Sequence, residues 1–352
     1  MKTKKNIIII FGGRSAEHEV SINSATAVYD NLNKNNFKIK CIYINKDGMW
    51  KTVSSPKISL SDLNKGFFHS FLPWRSKKNI DLPESAIYFP VLHGPYGEDG
   101  TIQGLLELAD VPYVGATVMS SAIGMDKAMA KSIFKGKGIP IVRYKVIHET
   151  NWLVCRKKVL EGIKNEYNLP FFIKPSNLGS SVGITKVHTM DQLSKAVDNA
   201  FRYDQKILVE EAIQGREFEC SVLGNEDPVS SLPGEIIPSR DFYDYQDKYI
   251  IGKTRFGIPA NLPKSATEEI QKISIAAFKS IECSGMARVD FFLQEKNNKI
   301  YLNEINTIPG FTEISMYPKL WEISGLTFPA LLERLIHLAL NKHTGKKRKK
   351  KP

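Results

Sequence analysis

The chain has 352 residues, 42% hydrophobic and 24% charged, which fits an ordinary soluble globular protein with two or three domains and a large buried core. Its formal net charge is +12, of which Lys346, Lys347, Arg348, Lys349, Lys350 and Lys351 carry six, so twelve less six leaves +6 elsewhere. A terminal like-charge block reads as a disordered, solvated tail, and with no aromatic or nucleic-acid motif beside it, specific nucleic-acid and membrane binding are set aside.

Lys2-Thr3-Lys4-Lys5 ahead of Ile7–Ile10 imitates a signal peptide, but the apolar run is too short and Gly12-Gly13-Arg14 ends it. A first buried strand is expected there instead. Ala25, Val28, Tyr29 and Leu32 then recur at helical spacing. Phe37–Ile44 and Ile87–Leu92 read as strands, with an irregular polar stretch around Lys51–Lys78 between them. Alternating strand and helix over residues 1–120 predicts an α/β domain built on a parallel sheet. A second block, 121–214, opens with a helix that carries Lys127 and ends near Gly136 and Gly138. Phe171–Lys174 and Val182–Val187 read as strands around a Gly/Ser turn. Thr189-Met190-Asp191-Gln192 matches a capping box for a helix with Leu193, Val197, Ala200 and Phe201 on its apolar face. Ile207–Glu210 is a short strand. In the third block, 215–344, Glu217–Leu223, Arg288–Leu293 and Ile300–Ile305 read as antiparallel strands, an α+β arrangement. Leu332, Leu335, Ile336, Ala339 and Leu340 mark an amphipathic C-terminal helix, and 345–352 is the basic tail. Cys41, Cys155, Cys220 and Cys283 show no CxxC spacing, so neither a zinc site nor a disulfide scaffold is indicated and a cytoplasmic location is expected. No apolar run is long enough to cross a bilayer.

The segment Lys174-Pro-Ser-Asn-Leu-Gly179-Ser180-Ser181-Val-Gly183 carries the strongest chemical signal. Small residues let backbone N–H groups approach phosphate oxygens, and Lys174 adds a point charge for the same anion. A plain hairpin turn is the competing reading. Neither a GxxxxGK[ST] loop nor a dinucleotide fingerprint is present, so a dehydrogenase is excluded. Asp290 lies on one strand; Glu304 and Asn306, two apart on the next, share one sheet face. These hard oxygen donors suit Mg²⁺ held with nucleotide phosphates, against the alternative of a solvated strand face. Gly310, after Pro309, offers an open backbone N–H which, with Arg288, suits a developing oxyanion. Glu17, in Gly12–Glu19, suits an ammonium group or merely a helix start. His93 in His93–Gly100 is expected to be structural. Asp241–Tyr249 reads as a long loop, a candidate lid.

Taken together, and in this order over nearly the whole chain, these segments resemble the D-alanine–D-alanine ligases. The resemblance implies a three-domain ATP-grasp architecture and ATP-dependent joining of two D-alanine molecules through a D-alanyl phosphate, for peptidoglycan precursors. It implies phosphate contacts from Lys127, Lys174 and the loop with Gly179, Ser180 and Ser181. Glu210 and Glu217 match adenine-strand and ribose positions, and Lys248 lies beside the nucleotide. Asp290, Glu304 and Asn306 match ligands of Mg²⁺ or Mn²⁺, two ions in all. Glu17 matches the residue for the first D-alanine's ammonium, Arg288 and Gly310 the pair around the reacting carboxylate, and Ser315 a contact for the second carboxylate. Ser180, Tyr249 and Glu17 match a set that ties the lid shut. A homodimer is implied as well. His18 departs from the Arg of some members. The rival readings are a D-alanine–D-lactate ligase, against which Lys248-Tyr249 and Met316 speak, another ATP-grasp carboxylate–amine ligase, and a nucleic-acid-binding protein supported only by the tail.

Overall fold

The structure, a computed structural model, describes residues 4–58, 83, 85–238 and 254–349, with side chains to residue 346. Lys248, Tyr249 and the rest of the expected lid lie outside the described residues, as does most of Lys51–Lys78.

The first sheet holds β1 (Lys5–Gly12), β2 (Phe37–Ile44), β3 (Trp50–Val53) and β4 (Ala86–Pro90) in the order β3-β2-β1-β4. β1 runs parallel to β2 and β4, as alternating strand and helix predicts, while β3 pairs antiparallel with β2. β3 corrects the expectation of irregular chain from Lys51. Asn45 makes a turn by accepting the Asp47 and Met49 N–H groups at 3.1 and 2.8 Å, and this returns Trp50 and Val53 to buried positions. β1 separates two cores by its period of two. Ile7, Ile9 and Phe11 join Ala25 and Val28 of the His18–Asn31 helix, together with Leu331, Leu335 and Ile336 of the C-terminal helix. Ile8 and Ile10 face Trp50, Ile102 and Leu106.

The second sheet holds β5 (Tyr144–His148), β6 (Phe171–Pro175), β7 (Thr185–Val187) and β8 (Lys206–Glu211) in the order β5-β8-β6-β7, antiparallel throughout. Only Thr185–Val187 of the expected second strand pairs. Before it the chain turns through positive φ at Ser180, Ser181 and Gly183, which a strand cannot follow. The expected capping box forms only in part. Gln192 Oε1 accepts the His188 and Thr189 N–H groups at 3.0 and 3.4 Å, so these residues form a turn and the helix begins at Leu193.

The third sheet runs β12-β11-β9-β13-β14, with β9 (Gly215–Gly224), β11 (Gly234–Ile237), β12 (Arg255–Gly257), β13 (Gly285–Gln294) and β14 (Ile300–Asn306) antiparallel, and β10 (Val229–Ser230) paired to β9. The Lys127–Gly136 helix, which the sequence assigns to the second block, packs here: its Ala130 and Phe134 share a core with Val289, Leu302 and Ile305. The last helix, Phe328–Lys349, runs well into the segment expected to be disordered. Lys342 Nζ donates to the Gly115 carbonyl at 2.8 Å, and Lys346 bonds Glu107, so its end is held against the first domain. Among the described residues no single helix is long and apolar enough to cross a membrane.

Candidate functional site

The Lys127–Gly136 helix aims Lys127 because its start is fixed. Asp126 caps it, accepting the Ala128 and Met129 N–H groups at 3.1 Å, and also accepts the Ser176 hydroxyl at 2.7 Å. Lys206 bonds the same carboxylate. Lys127 Nζ then donates to the Leu178 carbonyl at 2.6 Å and lies 3.3 Å from Glu304 Oε2. One ammonium thus joins the entrance of the Gly/Ser loop to β14. Lys174, at the end of β6, bonds Glu210 Oε1. Glu210 is 1% exposed, and Lys131 Nζ stands 2.9 Å from its other oxygen. Burial alone would raise the Glu210 carboxyl, but Lys131 and Lys174 hold it below the usual carboxylate range.

Across the third sheet the register sets Glu219 of β9, Asp290 of β13 and Glu304 of β14 side by side. The β13–β14 pairing shifts after Asp290, leaving Asn303 without a partner, a bulge of the kind found beside active sites. Arg288 grips Asp290 with Nε and Nη2 at 2.8 and 2.7 Å, and its Nε lies 3.1 Å from Glu219. Burial disfavours its charge, yet Asp290 and Glu219 raise the guanidinium well above its ordinary value. Asn306 Nδ2 donates to Asp290 Oδ2 at 3.0 Å. The three expected metal ligands are therefore brought together. Among the described residues, however, no group of three or more His, Cys, Asp or Glu side chains stands close enough to hold a metal ion. The counter-charges here are Arg288 and Lys127. The donor set still fits a hard divalent cation, being two carboxylates and an amide on one face.

Two adjoining clefts meet at this row. Glu17, Glu98, Arg288, Gly310 and Ser315 line one; Lys127, Lys174, Ser181, Glu217 and Asp290 line the other; Glu219 and Glu304 line both. Ser180 donates to Glu17 Oε1, closing the Gly/Ser loop onto the first domain. The resemblance implies this Ser180–Glu17 contact, and Tyr249, the third member of the set, lies outside the described residues. Ser315 precedes the Met316–Ile323 helix, its Oγ 2.7 Å from Thr312 Oγ1, so a hydroxyl and a helix N-terminus face the first cleft together. His93, expected to be structural, also lines the first cleft, and burial holds its pKa below the usual imidazole value. Its Nδ1 meets the Ile308 carbonyl at 3.2 Å and Nε2 the Ser24 hydroxyl at 3.1 Å. Ser24 in turn accepts the Phe311 N–H at 3.2 Å, which fixes the Gly310 turn from the first domain.

Of the expected residues, Gly179, Ser180 and Asn306 line the first cleft with Glu17, Arg288, Gly310 and Ser315, while Ser181 and Glu217 line the second. Glu210 lines neither, for its carboxylate turns inward to the lysines. Sequence reasoning missed Lys131, Glu98 and Glu219. Two of them carried a signal: Glu98 lies in the His93–Gly100 segment that follows a strand, and Lys131 comes four residues after Lys127 and so on the same helix face. Burial first, then Glu17, pushes the Glu98 carboxyl well above the ordinary range, and it accepts the Gly94 N–H at 2.8 Å.

Comparison with known proteins gives a consistent result. Residues 6–116 match the family described as D-ala D-ala ligase N-terminus, and residues 133–337 match D-ala D-ala ligase C-terminus. A D-alanine–D-alanine ligase of Acetivibrio thermocellus is 45% identical over 97% of this chain and 98% of its own length. The Solibacter usitatus enzyme of the same name is 48% identical over 97% and 98%. Among solved structures, the D-alanine-D-alanine ligase from Coxiella burnetii superposes with a TM-score of 0.83 at 39% identity, covering 98% of this chain and 96% of that one. A D-Ala:D-Ser ligase from Enterococcus faecalis superposes with a TM-score of 0.84 at 36% identity, covering 96% and 100%.

Proposed function

The chain belongs to the D-alanine–D-alanine ligase family, and on that premise we propose that it joins two D-alanine molecules with ATP, for peptidoglycan precursors. One observation carries the reading. A cleft walled by Lys127, Lys174 and the Gly/Ser loop adjoins a small polar cleft, and Glu219 and Glu304 line both. An anionic nucleotide and two small zwitterions thus reach one boundary.

The γ-phosphoryl group passes from ATP to the carboxylate of the first D-alanine, releasing ADP and leaving an acyl phosphate. The amine of the second D-alanine attacks that carbonyl carbon and gives up a proton. The C–O bond to phosphate breaks, and inorganic phosphate leaves with the peptide bond formed. Lys127, Lys174 and the backbone of Gly179–Ser181 hold the phosphates, and Glu217 takes the ribose. Glu17 takes the ammonium of the first substrate. Arg288 and the Gly310 N–H face the oxygen on which charge develops. The Ser315 hydroxyl, at its helix start, takes the second carboxylate. Asp290, Glu304 and Asn306 would hold Mg²⁺ or Mn²⁺, two ions in all, which offset phosphate charge when bound. Lys248 and Tyr249 belong to the lid of this reading, which keeps water from the acyl phosphate. All four cysteines are free, in keeping with a cytoplasmic enzyme. A homodimer is part of the same reading.

Product analysis tests it. Protein with ATP, Mg²⁺ and D-alanine should release ADP and D-alanyl-D-alanine. With D-serine and D-lactate added as competing acceptors near neutral pH, the dipeptide of D-alanine should still dominate. ADP without that dipeptide, or a dominant mixed product, overturns the acceptor assignment.

A further inference from the structure

Lys131, Lys174 and Glu210 form a cluster whose charges do not balance. Two ammonium groups share one carboxylate, and exposures are 1% for Lys131, 7% for Lys174 and 1% for Glu210. Lys174 makes a hydrogen bond to Glu210 Oε1. Lys131 stands 2.9 Å from Oε2 as an ion pair. Burial holds the Lys131 ammonium below its ordinary value, and Lys174 pushes it the same way while Glu210 opposes. Glu304 also draws on Lys131, but its own ion pair is with Lys127. A buried triad with a surplus positive charge costs stability unless an anion joins it. Only Lys174 reaches the wall of the cleft; Lys131 and Glu210 do not line it.

We propose that Lys131 is a positioning residue that keeps Glu210 neutralised, so that Lys174 is free to turn from Glu210 to the nucleotide phosphates. The inference rests on the reading that ATP occupies this cleft. When Lys174 leaves, Lys131 and Glu210 remain as a one-to-one pair, and the surplus charge travels to the ligand. Without Lys131, Lys174 becomes the sole counter-ion of a buried carboxylate, and its departure strands that carboxylate. Lys131 thus acts on the nucleotide through Lys174 and touches no substrate. The free protein carries the electrostatic burden, and ATP relieves it.

The test is Lys131→Met in the full chain, with KM for ATP, KM for D-alanine and the thermal midpoint of the nucleotide-free protein measured together. The ATP KM should rise about tenfold or more, as expected when a buried ion pair must be broken to bind. The D-alanine KM should change by less than about twofold on the same scale. The thermal midpoint should hold or rise, because the surplus charge is gone. Adding Glu210→Gln removes the carboxylate that traps Lys174, and the double variant should regain ATP affinity relative to Lys131→Met. A merely structural lysine gives the opposite pattern: a lower midpoint, both KM values raised alike, and no recovery in the double variant. Any of these, or failure of Lys131→Met to fold, overturns the proposal. Calorimetric titration of ATP into the unaltered protein separates the two claims. No ATP binding there sinks the nucleotide reading itself, whereas normal binding with an unchanged ATP KM in Lys131→Met sinks only the role of Lys131.

Discussion

At Gly310 the missing side chain leaves room for a neighbour's hydroxyl. A Cβ added there would stand 2.7 Å from Ser315 Oγ and 3.5 Å from its Cβ, although the Gly310 backbone lies outside the left-handed region. The atom in the way is the end of a short rotatable side chain, so folding has an easy escape. That escape turns the Ser315 hydroxyl away from Thr312, whose N–H and Oγ1 now fix it at 3.0 and 2.7 Å. Gly310→Ala should therefore cost about 1 kcal/mol or less in stability. Its kcat/KM for D-alanine should fall roughly 10²-fold, since misplacing a positioning group by about 1 Å has that effect. Thermal melts and dipeptide kinetics on one preparation check both. Matched losses would show that Ser315 supports the fold rather than the substrate. Gly310 was legible in the sequence as a Pro-Gly turn, whereas Ser315 entered only through the family resemblance, because nothing in the sequence announced the helix that it opens. Asp290, Glu304 and Asn306 were legible because strand period fixes which side chains share a face. Glu219 was not, because its place beside Asp290 depends on the pairing of β9 with β13, whose residues lie some seventy positions apart. The inward turn of Glu210 was hidden for a similar reason: its partner Lys131 sits on a helix distant in the chain.

Elements were legible where one period ran unbroken. β2 spans Phe37–Ile44, as its apolar run predicts, and the β13–β14 hairpin follows from two apolar runs around a polar turn. The strand expected over 182–187 shortened because Ser180 and Ser181 adopt positive φ, which their sequence does not announce. The C-terminal helix outran its expected end because its last turns bond to the first domain. Lys342 shows what that costs. Burial, then Lys346, lowers its pKa to about 7, while its Nζ bonds the Gly115 carbonyl. A lysine lowered in the folded state releases its proton on folding over the interval between the two values. Below about pH 7 both states hold the proton and the burial penalty is felt in full. As pH rises from about 7 toward the unfolded value of about 10.4, the unfolded chain binds more protons than the folded one, and stability increases. Lys342→Met keeps the packing and removes the proton. Urea midpoints taken from pH 6 to 9 should climb less steeply for this variant than for the unaltered protein. Parallel curves would show that the Lys342 amine keeps an ordinary pKa.

On the scale of the whole molecule, the first and third sheets are joined where two backbones pass without side chains between them. A Cβ at Gly285 would lie 3.0 to 3.1 Å from the N, Cα and C atoms of Gly115. Gly285 itself has φ +76. Around this crossing Asn225 accepts the Gly285 N–H at 3.2 Å and donates to the Leu338 carbonyl of the last helix at 3.1 Å. Met286 and Leu223 enter the core that Ile7, Ile9 and Phe11 build with that helix. The crossing thus sets how the cleft lined by Glu17 from one side and Arg288 from the other is held together. A side chain at Gly285 meets two penalties. The left-handed conformation alone costs an L-residue about 1–2 kcal/mol. The close atoms belong to backbone, which cannot rotate aside as Ser315 can beside Gly310. Gly285→Ala should therefore lower stability by about 2 kcal/mol or more, a drop in thermal midpoint of several degrees in a chain this long. Gly345→Ala is the control, because that helical glycine has no positive φ and nothing within 4 Å of an added Cβ. It should be neutral or gain up to about 1 kcal/mol. If Gly285→Ala melts no lower than Gly345→Ala, the two sheets do not depend on this contact, and the His93–Ile308 and Phe311–Ser24 bonds hold the cleft between them instead.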